Sequence, residues 1–413
     1  MIKNIAQRNL SNDIDLDEAL NAYNEYGKLQ YLVNNLRQKR TQISTSISKV
    51  STTENRQCLV LEAKEIKKDI SEKEEELETL EQKALKLGCL IPNFTHPESP
   101  IGSEENAKTI LTKNRRAYPS TITDGTEFLI KKDMLDLRSA AKVSGNSFYY
   151  LKNQGAMLEL ALCQLALSKA MSKGFSPILT PDLVRKDIVN ACGFQPRDNN
   201  LNQNYNVSAH SNSDLYLAAT SEIALAGMNL NQIIQPGDLP MKWAGQSHCF
   251  RAEAGARGKE TKGLYRVHQF TKVELFAFCS PMESEKTLKE ILEFQIEFFN
   301  DLELDFRVLD MPTEELGASA YRKFDIEAYL PHQNRWGEIS SASNCTDYQS
   351  RRLNIRLTKD PKTQISEFVH TVNGTACAVP RTILAIVEQN QNGKGEVVIP
   401  KILRPYFNNS KYF

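Results

Sequence analysis

From residue 15 to residue 87 the chain carries almost no glycine or proline, and apolar residues return every third or fourth position. That pattern predicts two long helices. In the first, Leu29, Val33, Leu36, Ile43, Ile47 and Val50 share one heptad seam; in the second, Leu59, Ala63, Ile66, Ile70, Leu77, Leu80, Ala84 and Leu87 do the same. Between them "STTENRQ" supplies turn chemistry, so the pair is expected to fold back as an antiparallel hairpin. At roughly 1.5 Å per residue each helix would extend about 40 Å or more.

The charges on this hairpin are unevenly shared. Helix one carries Lys28, Arg37, Lys39, Arg40 and Lys49 with no acid from 28 to 53, whereas helix two is dominated by "EKEEELETLE". Over the whole chain 51 basic residues balance 51 acidic ones, so any contact with a polyanion must come from local segregation of this kind. Two readings stand side by side: a solvated coiled coil that binds proteins, and a basic rail that grips the phosphates of an RNA helix. Pro92, Pro97 and Pro100, with Gly88 and Gly102, then end the helix and make a linker. The expected division is an arm and linker over 1–104 and a body over 105–413.

No apolar run reaches the roughly 18 to 20 residues a membrane helix needs, so a soluble protein without a membrane partner is expected. The opening "MIKNIAQRNLSN" has Lys3 and Arg8 and no acid before Asp13, a faint sign of an organelle presequence or its remnant. Cysteines 58, 89, 163, 192, 249, 279, 345 and 377 lie far apart with no CxxC, which argues against structural zinc and a disulfide framework and for a reducing compartment.

In the body, "GAMLELALCQLALSKAM" (155–171) reads as a helix so apolar that it must be buried, in the core or at a subunit interface. Gly174 ends it, and a strand stopped at Pro181 follows. Residues 250–274, "FRAEAGARGKETKGLYRVHQFTKVE", read as two adjacent antiparallel strands joined by a glycine-rich loop. On the second strand Arg266, His268, Phe270, Lys272 and Glu274 alternate with Val267 and Val273, which puts them on one face. Buried charge is costly unless paired, so such a row implies a charged ligand or a satisfied ion network.

"FRAEAG…GLYRVHQFTKVE" resembles the second signature of class II aminoacyl-tRNA synthetases, in the form used by seryl-tRNA synthetases. "LAATSEIAL" resembles that family's TxE loop, "GEISSASNCTDYQSRRL" its metal-bearing strand, and "VNGTACAVPRTILAIVEQNQ" its third signature. "IPNFTHPESPIG" is similar to the linker after its arm. The resemblance implies an α+β class II fold, an antiparallel catalytic sheet of six or more strands flanked by helices, behind an N-terminal antiparallel coiled-coil arm. It implies an enzyme that activates L-serine with ATP and Mg²⁺ to seryl-adenylate and transfers serine to the 3′ end of tRNA(Ser).

Carried over position by position, the resemblance implies that Arg251 meets the α-phosphate of ATP and the serine carboxylate, a planar anionic target suited to a guanidinium. Ala252 lies beside it. Glu253 would accept from the adenine amino group or order the loop, Arg266 reach the terminal phosphates, and Val267 offer main-chain groups to the base. Phe270 would stack on adenine with Arg381 on the opposite face. Glu338, Ile339, Ser340 and Ser341 would line the nucleotide, with Glu338 and Ser341 holding Mg²⁺. Thr220, Ser221 and Glu222 would bind serine, chiefly its α-ammonium, while Glu274 and Thr375 would read its hydroxyl.

The same resemblance makes Arg251, Glu253 and Arg381 the catalytic set and implies a homodimer through helix 155–171. It implies recognition of the long variable arm of tRNA(Ser) by Lys28, Arg37, Lys39, Arg40 and Lys49, alongside contact with its acceptor end. Ala376 and Pro380 stand where the commoner bacterial third signature has glycines. "ACAVPR" with "SASNCTDYQSRRL" is more similar to mitochondrial members, so the mitochondrial matrix is the expected location, with the cytoplasm as the alternative.

Overall fold

The structure, a computed structural model of the 413-residue chain, describes all residues except 49–52, 114–115, 120, 195–203, 208–213, 254–262 and 361–364. It divides into two compact units, Met1–Pro92 and Asn93–Phe413.

The first unit is built on α1 (Leu16–Ile47) and α2 (Thr53–Leu90). Asp15 caps α1, its side chain accepting from Glu18 N at 2.9 Å, and Asp17 and Glu18 complement the helix dipole in the first turn. The seam predicted from spacing is the buried one. Val33, Leu29, Ile43, Ile66 and Ile70 are buried, and Leu36, Ile47, Leu59 and Ala63 pack against them. Val50, expected on the same seam, lies outside the described residues. The cross-helix ion pairs Arg37–Glu74, Lys39–Glu62 and Glu18–Lys83 run in opposite sequence directions, as an antiparallel pair requires. One expectation shifts: Thr53–Gln57, assigned to the turn, already belongs to α2, because nothing in that segment is glycine or proline and helical pairing continues through it.

The second unit is organised by an eight-stranded sheet. Its strands are β1 (Lys108–Lys113), β2 (Ser176–Leu179), β3 (Met241–Phe250), β4 (Gln269–Cys279), β5 (Phe306–Asp310), β6 (Arg322–Leu330), β7 (Arg335–Thr346) and β8 (His370–Ala378). The spatial order is β1-β5-β6-β7-β8-β4-β3-β2. Every neighbouring pair is antiparallel except β2 with β3, which run parallel at the edge.

One face of the sheet is covered by helices and carries the main core. There α3 (Gln154–Ser172) contributes Leu158 and Leu162, and α5 (Ser284–Asp301) contributes Phe294, Phe298 and Phe299. Val273 and Leu275 of β4 meet them from the sheet, and α6 (Val379–Gln389) adds Ile383. Gly374 permits the approach of α5: a Cβ there would lie 2.4 Å from Ile291 Cγ2 and 2.9 Å from Gln295 Nε2. That closeness lets Gln295 Nε2 donate to the carbonyls of Ser341 (2.8 Å) and Thr375 (2.9 Å). The two departures in the third signature sit where the strand register shifts, between Thr375 and Cys377, and at the start of a helix. Ala376 is fully buried, and Pro380 stands in the first turn of α6, where a missing N–H is not needed.

The opposite face of β4 presents Phe270, Lys272 and Glu274 and then Phe276 and Phe278, which join a second core around Ile223 and Leu225. This face is covered in part by the short helix α4 (Ser221–Gly227). Gly245 of β3 allows that contact, since a Cβ would sit 2.9 Å from Leu225 Cδ1 and 3.3 Å from Ser221 Oγ. The proline-rich segment after the arm is bonded into this unit: Asn93 Nδ2 donates to Ser319 O, Cys345 O and Thr346 Oγ1, all within 2.9 Å.

Candidate active site

The strand pair expected over 250–274 is shorter at its loop end than the alternation predicts. β3 stops at Phe250 and β4 starts at Gln269, so Arg251, Glu253, Arg266 and His268 lie in the connection and only Phe270, Lys272 and Glu274 keep strand alternation. The reason is local. Glu253 takes a left-handed backbone (φ 49°), which ends extended pairing and costs about 1 kcal/mol or more in a non-glycine residue. Before that break the ladder runs one step further, Arg251 N donating to His268 O at 2.9 Å and His268 Nδ1 lying 3.0 Å from Arg251 O. Residues 254–262 of the glycine-rich loop, with Gly255 and Gly258, lie outside the described residues.

Arg251 is thereby held at the mouth of the sheet face. Its guanidinium lies over the Phe270 ring, 5.3 Å from the centroid, with Nε 3.5 Å from Ala219 O. Ala252 follows it, and Glu253 Oε2 accepts from Arg266 Nη1 at 3.2 Å. Val267 is buried. Arg381 lies 4.6 Å from the Tyr265 ring centroid, donating from Nε to Tyr265 O (3.2 Å) and from Nη1 to both Glu338 O and Glu338 Oε2 (3.0 Å each). Tyr265 is a site residue that the sequence motif does not single out. Arg335 lies over the same ring, 4.7 Å from the centroid, and since both arginines come from distant segments no local pattern marks the tyrosine.

The remaining nucleotide positions are on β7. Burial would raise the Glu338 carboxyl, but Arg381, Lys323 and Arg251 outweigh it and hold it at about 2. Ser341 stands opposite Asp325 of β6. Asp325 pairs with Lys323 at 2.7 Å, and burial pushes its carboxyl up to about 7 against the pull of that lysine. Ile339 points into the helix-covered core, and Ser340 Oγ donates to Thr375 O at 2.6 Å, so neither side chain is directed at a ligand.

A second group of predicted residues meets deeper on the same face. Thr220 caps α4, its Oγ1 accepting from Glu222 N at 3.2 Å, and Ser221 Oγ donates to Gly245 O at 3.3 Å. Glu222 is buried, with Oε1 accepting from Gln349 Nε2 (2.7 Å) and Asn373 Nδ2 (2.9 Å). Burial, and then the charge of Glu274, push its carboxyl up to about 7. Glu274 and Thr375 are directly paired across β4 and β8, and Thr375 Oγ1 donates to Glu274 Oε2 at 3.4 Å. Lys272 Nζ pairs with that same oxygen. Gln349 and Asn373 support the pocket from positions that sequence reasoning passed over, because single amides in strand and helix carry no pattern of their own.

This arrangement, two buried carboxylates near the Arg251 guanidinium with Arg266 and Arg381 beyond it, has the polarity of a site for a small zwitterion next to an anion. The comparisons with known proteins fit it. Residues 205–390 match the tRNA synthetase class II core domain (G, H, P, S and T), and residues 1–95 match the seryl-tRNA synthetase N-terminal domain. A serine–tRNA ligase of Dictyoglomus turgidum is 41% identical over 409 residues, covering 98% of this chain and 95% of its own. The chain belongs to the seryl-tRNA synthetase family. Mitochondrial forms are among its relatives: the mitochondrial serine–tRNA ligase of Saccharomyces cerevisiae is 40% identical over 399 residues, with 94% of this chain and 87% of the yeast protein covered. The crystal structure of seryl-tRNA synthetase from Pyrococcus horikoshii complexed with ATP superposes with a TM-score of 0.86 at 36% identity, covering 99% of this chain and 96% of that one. The class II fold and the helical arm expected from sequence are those of this seryl-tRNA synthetase family.

Proposed function

We propose that this chain activates L-serine with ATP and transfers it to tRNA(Ser). The observation that carries the reading is the buried polar pocket of Glu222, Glu274 and Thr375 next to Arg251. A zwitterionic amino acid with a hydroxyl matches its charges and donors, and alanine would leave the hydroxyl-reading groups unmet.

In the first step a serine carboxylate oxygen attacks the α-phosphorus of ATP, a P–O bond forms, and the bond to the departing pyrophosphate breaks. Arg251 neutralises charge on the non-bridging oxygens as it grows, with Phe270 beneath it as a platform. Arg266, ordered by Glu253, faces the terminal phosphates. Glu338 and Ser341 fit Mg²⁺ as hard oxygen donors: the carboxyl of Glu338 is held ionised, its Oε2 is taken by Arg381, and its side chain is 41% exposed. The ion would neutralise phosphate charge there. In the second step the 3′ hydroxyl of tRNA attacks the seryl carbonyl and AMP leaves. No side-chain nucleophile is involved, so catalysis is positioning and electrostatics.

The arm is read as the tRNA contact, through Lys28, Arg37, Lys39 and Arg40; Lys49 lies outside the described residues. Arg37 and Lys39 are engaged with Glu74 and Glu62, while Lys28 and Arg40 stand exposed. Homodimer formation is supported by an apolar surface on α3 and the edge strand, where Met157, Leu160, Met171 and Leu179 are exposed, Leu179 by 81%. A stable, active monomer in sedimentation would exclude it. The mitochondrial relatives support a matrix location, and imaging that found only cytosolic protein would overturn it. No helix among the described residues is long and apolar enough to cross a membrane.

Serine-dependent exchange of pyrophosphate into ATP, run across the amino acids, tests the activity. Rapid exchange with serine alone is expected. Equal exchange with alanine would sink the hydroxyl-reading pocket.

A further inference from the structure

Lys272 has no part in the chemistry above, yet it is a cation only 5% exposed in the middle of β4. Lysine is rarely buried to that degree unless it is paired, and breaking a buried pair leaves an uncompensated charge. Its neighbours across the sheet are small, Ser247 on β3 and Ala378 on β8, and they leave space for the side chain to lie along the strand toward Glu274. There Nζ pairs with Glu274 Oε2, the oxygen that Thr375 Oγ1 also approaches. No described residue donates to Oε1.

The carboxylate is therefore clamped by one oxygen and presents the other. Charge balance points the same way. The Lys272–Glu274 pair is neutral as a unit, so holding Glu274 in place adds no net charge to the pocket that a zwitterion enters.

We infer that Lys272 is a positioning residue for amino-acid selection: it fixes Glu274 through Oε2 in the orientation that offers Oε1 to the substrate hydroxyl. The inference rests on the serine-ligase reading. A Glu274 freed from the clamp can turn away from an absent hydroxyl, so losing Lys272 weakens serine and also relaxes the rejection of alanine.

The test is Lys272→Met in the full chain, followed by serine-dependent pyrophosphate exchange. The KM for serine should rise about 10-fold or more, the KM for ATP should stay within about threefold, and the preference for serine over alanine in kcat/KM should fall about 10-fold. Added to Glu274→Gln, the same change should move the serine KM by less than about threefold, because the group it positions is already altered. A merely structural lysine would instead shift serine and ATP constants together and do so in either background.

Should Lys272→Met fail to fold, Lys272→Gln, which keeps a donor without the charge, is judged by the same criteria. A folded variant whose serine KM stays within about threefold of the parent, or whose selectivity is unchanged, overturns the inference. A parent protein with no serine-dependent exchange would instead sink the serine-ligase reading, and this inference with it.

Discussion

Glu222 sets a pH dependence for amino-acid binding that can be worked from its surroundings. Its carboxyl is buried, and burial and then Glu274 push it up to about 7, while Lys272, Gln349 and Arg251 pull it down. If the α-ammonium of serine binds the ionised form, binding is linked to loss of that proton. The ionised fraction is then about one-eleventh at pH 6 and about ten-elevenths at pH 8, so the KM for serine should fall about 10-fold between them and level off above. Serine should also release roughly 0.9 proton on binding at pH 6 and roughly 0.1 at pH 8.

For the unliganded protein the sign is opposite. A carboxyl raised in the folded state contributes stability below the ordinary value of 4.5 that is lost as pH rises through about 7, on the order of 3 kcal/mol for this one group. Pyrophosphate exchange at saturating ATP across pH 6 to 8.5 measures the first effect. Calorimetry in buffers of different ionisation enthalpy measures proton release. Glu222→Gln should weaken serine at every pH and remove the slope. A serine KM that is flat from pH 6 to 8, or a slope that survives in Glu222→Gln, would refute the assignment of Glu222 to the ammonium.

Arg251→Ala should slow adenylate formation in single turnover by about 100-fold or more with little change in thermal stability, since a charged donor at developing phosphate charge is worth a few kcal/mol; near-normal turnover would make the residue structural. Arg40→Glu should weaken tRNA binding and flatten its salt dependence by roughly one unit of slope while leaving pyrophosphate exchange unchanged. It is a cleaner probe than Arg37 or Lys39, whose reversal would also set like charges against Glu74 and Glu62. Gly374→Ala should lower stability by about 1 to 3 kcal/mol in thermal or urea melts, because the new methyl meets Ile291 Cγ2 at 2.4 Å and α5 must shift; an unchanged melt would show that α5 yields freely.

What was legible in the sequence follows from where periodicity survives folding. The arm seam could be read because each of its residues meets only the partner helix, so Val33 and Ile70 are buried by the same spacing that made them visible. On β4 the alternation also held, but only from Phe270 onward. Arg266 and His268 lost it because Glu253 turns the chain, and a positive φ at a glutamate leaves no mark in a pattern of residue types. Arg381 was legible as a site residue but not as the partner of Tyr265 and Glu338, since that choice depends on which strands become neighbours: β8, leading into α6, lies beside β7.

The charged residues on strands that otherwise read as core have a single explanation in the sheet. β4 is buried on both faces, one against helices and one beneath a polar pocket, so its alternation separates Val273 and Leu275 from Lys272 and Glu274 rather than core from solvent. A buried charge can persist there only if paired, and Glu274 is, to Lys272 and Thr375; on the neighbouring β7 the part-exposed Glu338 is paired with Arg381. Among the described residues none donates to Oε1 of Glu274 or of Glu338, and an anchored carboxylate with one open oxygen meets its ligand without having to reorganise. Specificity in the amino-acid pocket therefore rests on the residues that hold the readers still as much as on the readers themselves, which is why the mutation of a lysine that touches no substrate should change which amino acid is accepted.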